Sequence, residues 1–242
     1  MLLALCAPAS ANVLLLSADG TVVGLPVRDP FTELVGWTDD GTALLVRRDE
    51  HTLRLDLATG ATARQPLLDD AVSIGPGGRA IVPRYGPDGP SVELREADGR
   101  VVGRQVVGPS LRPPSVAWSR DGTRVAVAVP RTLLVLDAIS GAPVLHTTIA
   151  DPELPGQAFA PDGSALLVVD DARVLRVDLP SGHRSVVLHA PEPAIGVGAA
   201  WGPDGQVAAM HDDRIRIGAS AEVRVPAFYV DGASWTRGGA AP

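Results

Sequence analysis

Phe159 to Gly182 reads "FAPDGSALLVVDDARVLRVDLPSG". An aromatic anchor comes first, then a Pro161-Asp162-Gly163 turn, then an apolar run. A second run, "RVLRVDL", closes on another glycine, Gly182. Proline holds φ near about −65°, which excludes a type I′ turn beginning at Pro161. A type I turn with Gly163 in the left-handed position, forming a G1 bulge, fits the spacing. Apolar runs bounded by such turns predict short antiparallel strands.

The pattern recurs along the chain in "VGWTDDGTALLV", "VSIGPGGRAIV", "VAWSRDGTRVAVAV" and "AAWGPDGQVAAM". The turn glycines are Gly41, Gly78, Gly122, Gly163 and Gly205, each preceded at four residues by Trp37, Ile74, Trp118, Phe159 or Trp201. A second turn glycine follows in most repeats, at Gly20, Gly60, Gly99, Gly141 and Gly182. Repeat five departs from this, with a shorter second hairpin around Gly218 to Glu222. Each repeat thus reads as four strands, and units of about 40 residues with four strands are the blades of a β-propeller.

The closing stretch "DGASWTRGGAAP", Asp231 to Pro242, fits the start of one more repeat, with Trp235 as its anchor. Anchor spacings are 37, 44, 41, 42 and 34, and the distance from Trp235 through joined termini to Trp37 is again 44. The fold expected is therefore all-β: one domain over residues 1–242, a six-bladed propeller of four-stranded antiparallel blades. The C-terminal strand and the N-terminal strands "MLLALC", "NVLLLS" and "TVVGLPV" share the last blade. Such a clasp covers strand edges that would otherwise be exposed. The start can also be read as an export signal, having an apolar run and an A-x-A end, but it lacks a basic n-region. The strand reading is preferred because it completes blade six. An exported or membrane-tethered parent protein would be revealed by a longer gene start, and the compartment is not set by these residues.

The motif "FAPDGSALLV" followed by "VLRVDLPSG", together with "WSRDGT" at Trp118 to Thr123 and "WTDDGT" at Trp37 to Thr42, resembles the TolB-like propeller repeat. The WD-repeat family is a more distant likeness, since no Trp-Asp dipeptide occurs. The resemblance covers nearly the whole chain. It implies a binding or scaffold propeller and says little of activity, because function lives in sites grafted on folds.

Composition narrows the classes further. The 242 residues carry a net charge of −7, and all 21 basic residues are arginine, never clustered beyond Arg47-Arg48. No nucleic-acid patch is expected from such a distribution. The arginine and alanine bias suggests a GC-rich bacterial genome. A single cysteine, Cys6, excludes an internal disulfide and a cysteine-based zinc site. No apolar run reaches the roughly 18 residues a spanning helix needs, so no membrane insertion is expected. There is no G-x-S-x-G elbow, H-E-x-x-H, P-loop or EF-hand loop.

Two candidate sites remain. Four residues before the anchors, Glu33, Asp70 and Asp231 belong to blades one, two and six, which are neighbours around the predicted ring. Carboxylates gathered at a tunnel mouth call for a compensating cation, and Ca²⁺ is the hard cation that suits them. This set could serve a metal-dependent hydrolase of the lactonase or esterase sort. The loop face carries His51, Tyr85, Asp171 and His211, in or near inter-strand turns, as candidates for contact with a protein or peptide partner. Asp170-Asp171 reads as a solvated turn pair, and all four tryptophans read as blade core. Axial ligands beyond carboxylates are missing: Asn12 is the only asparagine, on a predicted outer strand. The expectation is a non-enzymatic binding propeller, with the metal hydrolase as the alternative.

Overall fold

The computed structural model describes residues 2–7, 12–17, 22–24, 33–38, 42–110, 112–155, 158–189, 197–201, 205–211, 214–217 and 221–224, with the stretches within 2–37 and 210–224 given as backbone. The sheets follow one another along the chain. Strands β1 (Leu2–Ala7), β2 (Asn12–Ser17) and β3 (Val22–Gly24) form a three-stranded sheet. Next come β4 (Glu33–Trp37), β5 (Ala43–Arg48), β6 (His51–Asp56) and β7 (Thr62–Arg64), then β8 (Ser73–Ile74), β9 (Ala80–Gly86), β10 (Gly89–Arg95) and β11 (Val101–Val106). The remaining three sheets are β12 (Ser115–Trp118) to β15 (Pro143–Thr147) through β13 (Arg124–Val129) and β14 (Thr132–Asp137); β16 (Pro152–Glu153), β17 (Ala165–Asp170), β18 (Arg173–Asp178) and β19 (Arg184–His189); and β20 (Gly198–Trp201), β21 (Val207–His211), β22 (Arg214–Ile217) and β23 (Ala221–Arg224). Among the described residues each is an antiparallel meander in sequence order, and five of the six have four strands.

The chain packs as two compact units: Met1–Pro83 with Glu93–Val102 and Thr236–Pro242, and Arg84–Val92 with Gly103–Trp235. In the second unit the strand sequences explain the layering. Residues of a strand point alternately to its two faces. From sheet β16–β19, Leu166, Val168, Leu175 and Val177 pack with Ala126, Leu133 and Val135 of the preceding sheet. Their neighbours Ala165, Leu167, Val169 and Val174 pack instead with Ala199, Trp201 and Ala209. A sheet covered on both faces needs unbroken apolar strands rather than alternating ones, and "ALLVVD" of β17 is buried from end to end. In the first unit the equivalent cluster is Leu45, Leu68, Ala71, Ile74, Ala80 and Val82. The anchors behave as the sequence predicts at Ile74, Phe159 and Trp201, all buried, while Trp118 is half-buried.

The turns repeat as faithfully as the core. Gly122 and Gly163 take φ of 70° and donate back three residues, to Ser119 and Ala160, as a type I turn with a left-handed glycine requires. Asp121 Oδ1 accepts from the Ser119 hydroxyl and from the N–H and hydroxyl of Thr123. Asp162 Oδ1 accepts from the N–H and hydroxyl of Ser164. Three of the turns between third and fourth strands, at Asp56–Gly60, Asp137–Gly141 and Asp178–Gly182, share a D-x-x-[ST]-G sequence. Asp56 Oδ1 accepts from Ala58 and Thr59, and Asp137 Oδ1 from Ile139 and Ser140, in matching geometry. These bonds favour the carboxylate form. The Thr59 hydroxyl holds Asp56 below the usual aspartate range, the Ser119 hydroxyl does so for Asp121, and the Ser140 and Ser164 N–H groups do so for Asp137 and Asp162. Neighbouring sheets of the second unit are tied at this end too: Arg124 Nη1 donates to the Gly163 carbonyl at 2.6 Å and Trp201 Nε1 to that of Ala158 at 2.8 Å.

The expected strands at the N-terminus are present as β1, β2 and β3. The expected C-terminal strand lies outside the described residues.

Candidate functional site: the second-to-third strand turns

In a four-stranded antiparallel meander, the first and third turns lie at one end of the sheet and the middle turn at the other. The Asp-Gly turns occupy the first end. The opposite end carries the middle turns and the connections that lead into the next sheet.

In the second unit this end is continuous, contact by contact. The Val107 N–H donates to Pro90 O, and a Cβ on Gly108 would meet Pro130 O and the Thr132 hydroxyl at 3.4 Å. The Arg131 N–H donates to Ala150 O, and the next residue, Asp151, donates its N–H to Asp170 Oδ1 at 3.0 Å. Arg173 Nη2 binds Asp170 Oδ2, and Arg112 Nη1 reaches Asp151 Oδ2 at 3.3 Å. Around this backbone stand exposed side chains: Tyr85 at 69% exposure, Arg112, Arg131, Asp171 and Arg173. Arg131 and Asp171 take φ of 65° and 57°, positions that a bulky residue rarely adopts. Tyrosine and arginine are the side chains enriched where protein surfaces meet.

Among the loop-face residues named from sequence, Tyr85 and Asp171 stand at this end, exposed. His51 opens β6 in the first unit, exposed, with Nδ1 3.5 Å from Asp69 Oδ2. His211 ends β21, and its side chain lies outside the described residues. Asp170 corrects the reading of its pair as a solvated turn. It is 3% exposed and joins two connections of this face, leaving only Asp171 in solvent.

Of the predicted tunnel-mouth carboxylates, Glu33 opens β4 opposite Arg47 in the ladder. Asp70 is exposed after the 3-10 turn Pro66–Leu68, and Asp231 lies outside the described residues. Among the described residues no three His, Cys, Asp or Glu side chains gather. The carboxylate held by hydrogen bonds beside the predicted position is Asp69, one residue earlier. The 3-10 turn folds it back on β6, where Oδ1 accepts from the Thr52 N–H at 2.8 Å and Oδ2 from Arg64 Nη2 at 2.7 Å. Burial alone would raise its pKa, but the bonds from Arg64 and Thr52 and the Arg64 and His51 charges together hold it below the usual range. The buried Thr52 hydroxyl donates to Leu68 O, and Arg47 Nη2 to Ala71 O, so this end is tied down by its own polar groups.

A chain of the crystal structure of a mitotic checkpoint complex is similar at 17% identity and a TM-score of 0.66, over 94% of this chain and 75% of that one. Hydrazine synthase from Kuenenia stuttgartiensis is similar at 19% identity and a TM-score of 0.51, over 79% of this chain. The match spans 59% of the hydrazine synthase chain. No family model and no curated protein sequence matches. At these identities the likeness carries the fold: an all-β, β-propeller-like architecture of the WD-repeat kind. Among the described residues no helix is long and apolar enough to cross a membrane.

Proposed function

We propose that this protein is a non-enzymatic, six-bladed, TolB-like propeller of bacterial origin, one domain whose terminal strands share the last blade. It presents the middle-turn end of its sheets to a protein or peptide partner. The observation that carries the reading is the continuous run of exposed Tyr85, Arg112, Arg131, Asp171 and Arg173 over a backbone already satisfied by its own hydrogen bonds. Side chains offered from a fixed backbone bind with little ordering cost. The Asp-Gly end has its carboxylates turned into its own loops. The test is a photo-crosslinking residue at position 85, with the same probe at exposed Val186 of outer strand β19 as control. Saturable capture of one partner from position 85 and not from 186 is expected. Tyr85→Ala should then weaken that partner's affinity by about tenfold or more. Equal capture at both positions, or none, would end the proposal.

The shared last blade is tested by deleting Ser234 to Pro242. Cooperative melting should be lost; an unchanged melt would remove the closure. The Ca²⁺ alternative rests on Glu33, Asp70 and Asp231. A cation held there at about 100 times its Kd would add about 2.7 kcal/mol to stability. A melt in EDTA and then in millimolar Ca²⁺ decides it. The binding reading expects no rise, and a rise abolished by replacing all three with alanine would favour the hydrolase instead.

A further inference from the structure

The Asp-turn end of the second unit holds a pocket of about 320 Å³ lined by Ala160, Pro161, Asp162, Ser164, Arg176, Trp201 and Gly205. Its base is the Trp201 ring, 4% exposed and fixed by its bond to Ala158 O. Over that ring, 5.5 Å from its centre, lies the Arg176 guanidinium. Arg176 Nε donates to Asp178 Oδ1 at 2.8 Å, so the ring and one ion pair hold the guanidinium in place. The same register position in the first unit is Arg54, two residues before the turn aspartate in each case. There Nη2 is taken by the Thr42 hydroxyl and Nη1 faces Asp56. In the pocket, Ser164 gives its hydroxyl to Asp162 instead. Among the described residues, both Nη groups of Arg176 are left without a hydrogen bond, on a side chain 41% exposed.

A planar cation held with two parallel N–H donors facing open volume is a receptor for a carboxylate. Beside it, Asp162 Oδ1 is occupied by Ser164, leaving Oδ2 to accept an N–H. A donor fork next to an acceptor matches the last residue of a peptide, which has a carboxylate and, on the same Cα, an amide N–H. The chain's net charge of −7 repels acidic segments, but a single terminal carboxylate on an otherwise uncharged tail escapes that cost. We propose that this pocket captures the C-terminal carboxylate of a peptide. The site goes beyond the partner face proposed above, which lies at the opposite end of the same sheets.

The test is an NMR titration of the full chain with N-acetyl-trialanine, followed at the Arg176 Nε–H and Trp201 Nε1–H signals. Its C-terminal amide serves as one control, and N-acetyl-Ala-Glu-Ala amide carries the carboxylate on a side chain. Saturable shifts with the free acid alone are expected, weakened about tenfold or more by Arg176→Gln. Shifts of equal size with the amide, preference for the glutamate peptide, persistence in Arg176→Gln, or no shift with any peptide would each overturn the proposal. Trp201 stays in place throughout, so the fold of the variant is checked by its own Nε1–H signal. None of these outcomes involves the partner sought at position 85, so either reading can fail alone.

Discussion

The two ends of the sheets are built from the same strands and obey opposite rules. At the Asp-turn end, Asp56-Leu57-Ala58-Thr59-Gly60 and Asp137-Ala138-Ile139-Ser140-Gly141 repeat residue type, hydrogen bonds and the left-handed glycine. At the middle-turn end only the length repeats: the two-residue loops Asp49-Glu50, Pro87-Asp88, Pro130-Arg131 and Asp171-Ala172 have no common sequence. Where three sheets solve one problem of chain reversal, the residues converge. Where they diverge over a common backbone, the fold is not what selects them. That contrast is why the irregular end is the candidate for partner binding.

The sharpest way to break the contrast is to overfill the regular end. A Cβ on Gly103 would sit 2.8 Å from Gly141 Cα, against backbone that cannot move aside. Gly103→Val should therefore destabilise by about 3 kcal/mol, at the upper range of overpacked cores, read as a lower denaturation midpoint. A loss under about 0.5 kcal/mol would mean that β11 and the Gly141 turn separate at little cost.

Next in size is the turn carboxylate. Asp137→Ala removes the acceptor of three hydrogen bonds and should cost about 1–2 kcal/mol. The same bonds give the fold its pH dependence. Asp56, Asp121, Asp137, Asp162 and Asp178 all have folded pKa values below the unfolded one. Their contribution is thus complete above the unfolded value near 3.9 and lost as pH falls through the lowered folded values. The melting temperature should be flat from about pH 7 to 5 and fall steeply below about pH 4, and Asp137→Ala should lessen that fall. A midpoint that instead drops between pH 7 and 5 would place the acid sensitivity in histidines and not in these turns.

The regular end was legible in the sequence because repetition amplifies weak signals. One Pro-Asp-Gly is a turn; five glycines at a fixed distance from five anchors predict an architecture. The other end offers no such averaging. Asp69 and Asp70 are identical side chains in adjacent positions, and strand register pointed to Asp70. A 3-10 turn over Pro66–Leu68 breaks that register and delivers Asp69 to Thr52 and Arg64. Asp170 was hidden the same way beside Asp171, since burial depends on Asp151 arriving from another connection. Trp201 is core, as its anchor position predicts, yet its ring also carries Arg176. Three of the residues that make that pocket, Asp162, Arg176 and Trp201, are far apart in sequence, and only the shared periodicity of "DGS" and "VLRVD" could have suggested that they meet.

The smallest effect expected is also the one that most directly separates the two ends. Arg131 adopts a φ of 65° without being glycine, following Pro130 in the two-residue loop between β13 and β14. A non-glycine residue there carries backbone strain of order 1 kcal/mol or more. Arg131→Gly relieves it, but glycine also adds freedom to the unfolded chain, worth about 0.4–1 kcal/mol in the other direction. The net change in stability should lie within about 1 kcal/mol of zero and lean towards stabilisation. At Gly141, whose φ is 70°, the reverse change to alanine adds strain with no relief and should destabilise. If the middle-turn end serves a partner, Arg131→Gly leaves the melt nearly untouched while weakening capture from position 85. A variant that loses stability like Gly141→Ala and keeps capture intact would place Arg131 with the structural turns, and the strained arginine would then need another cause.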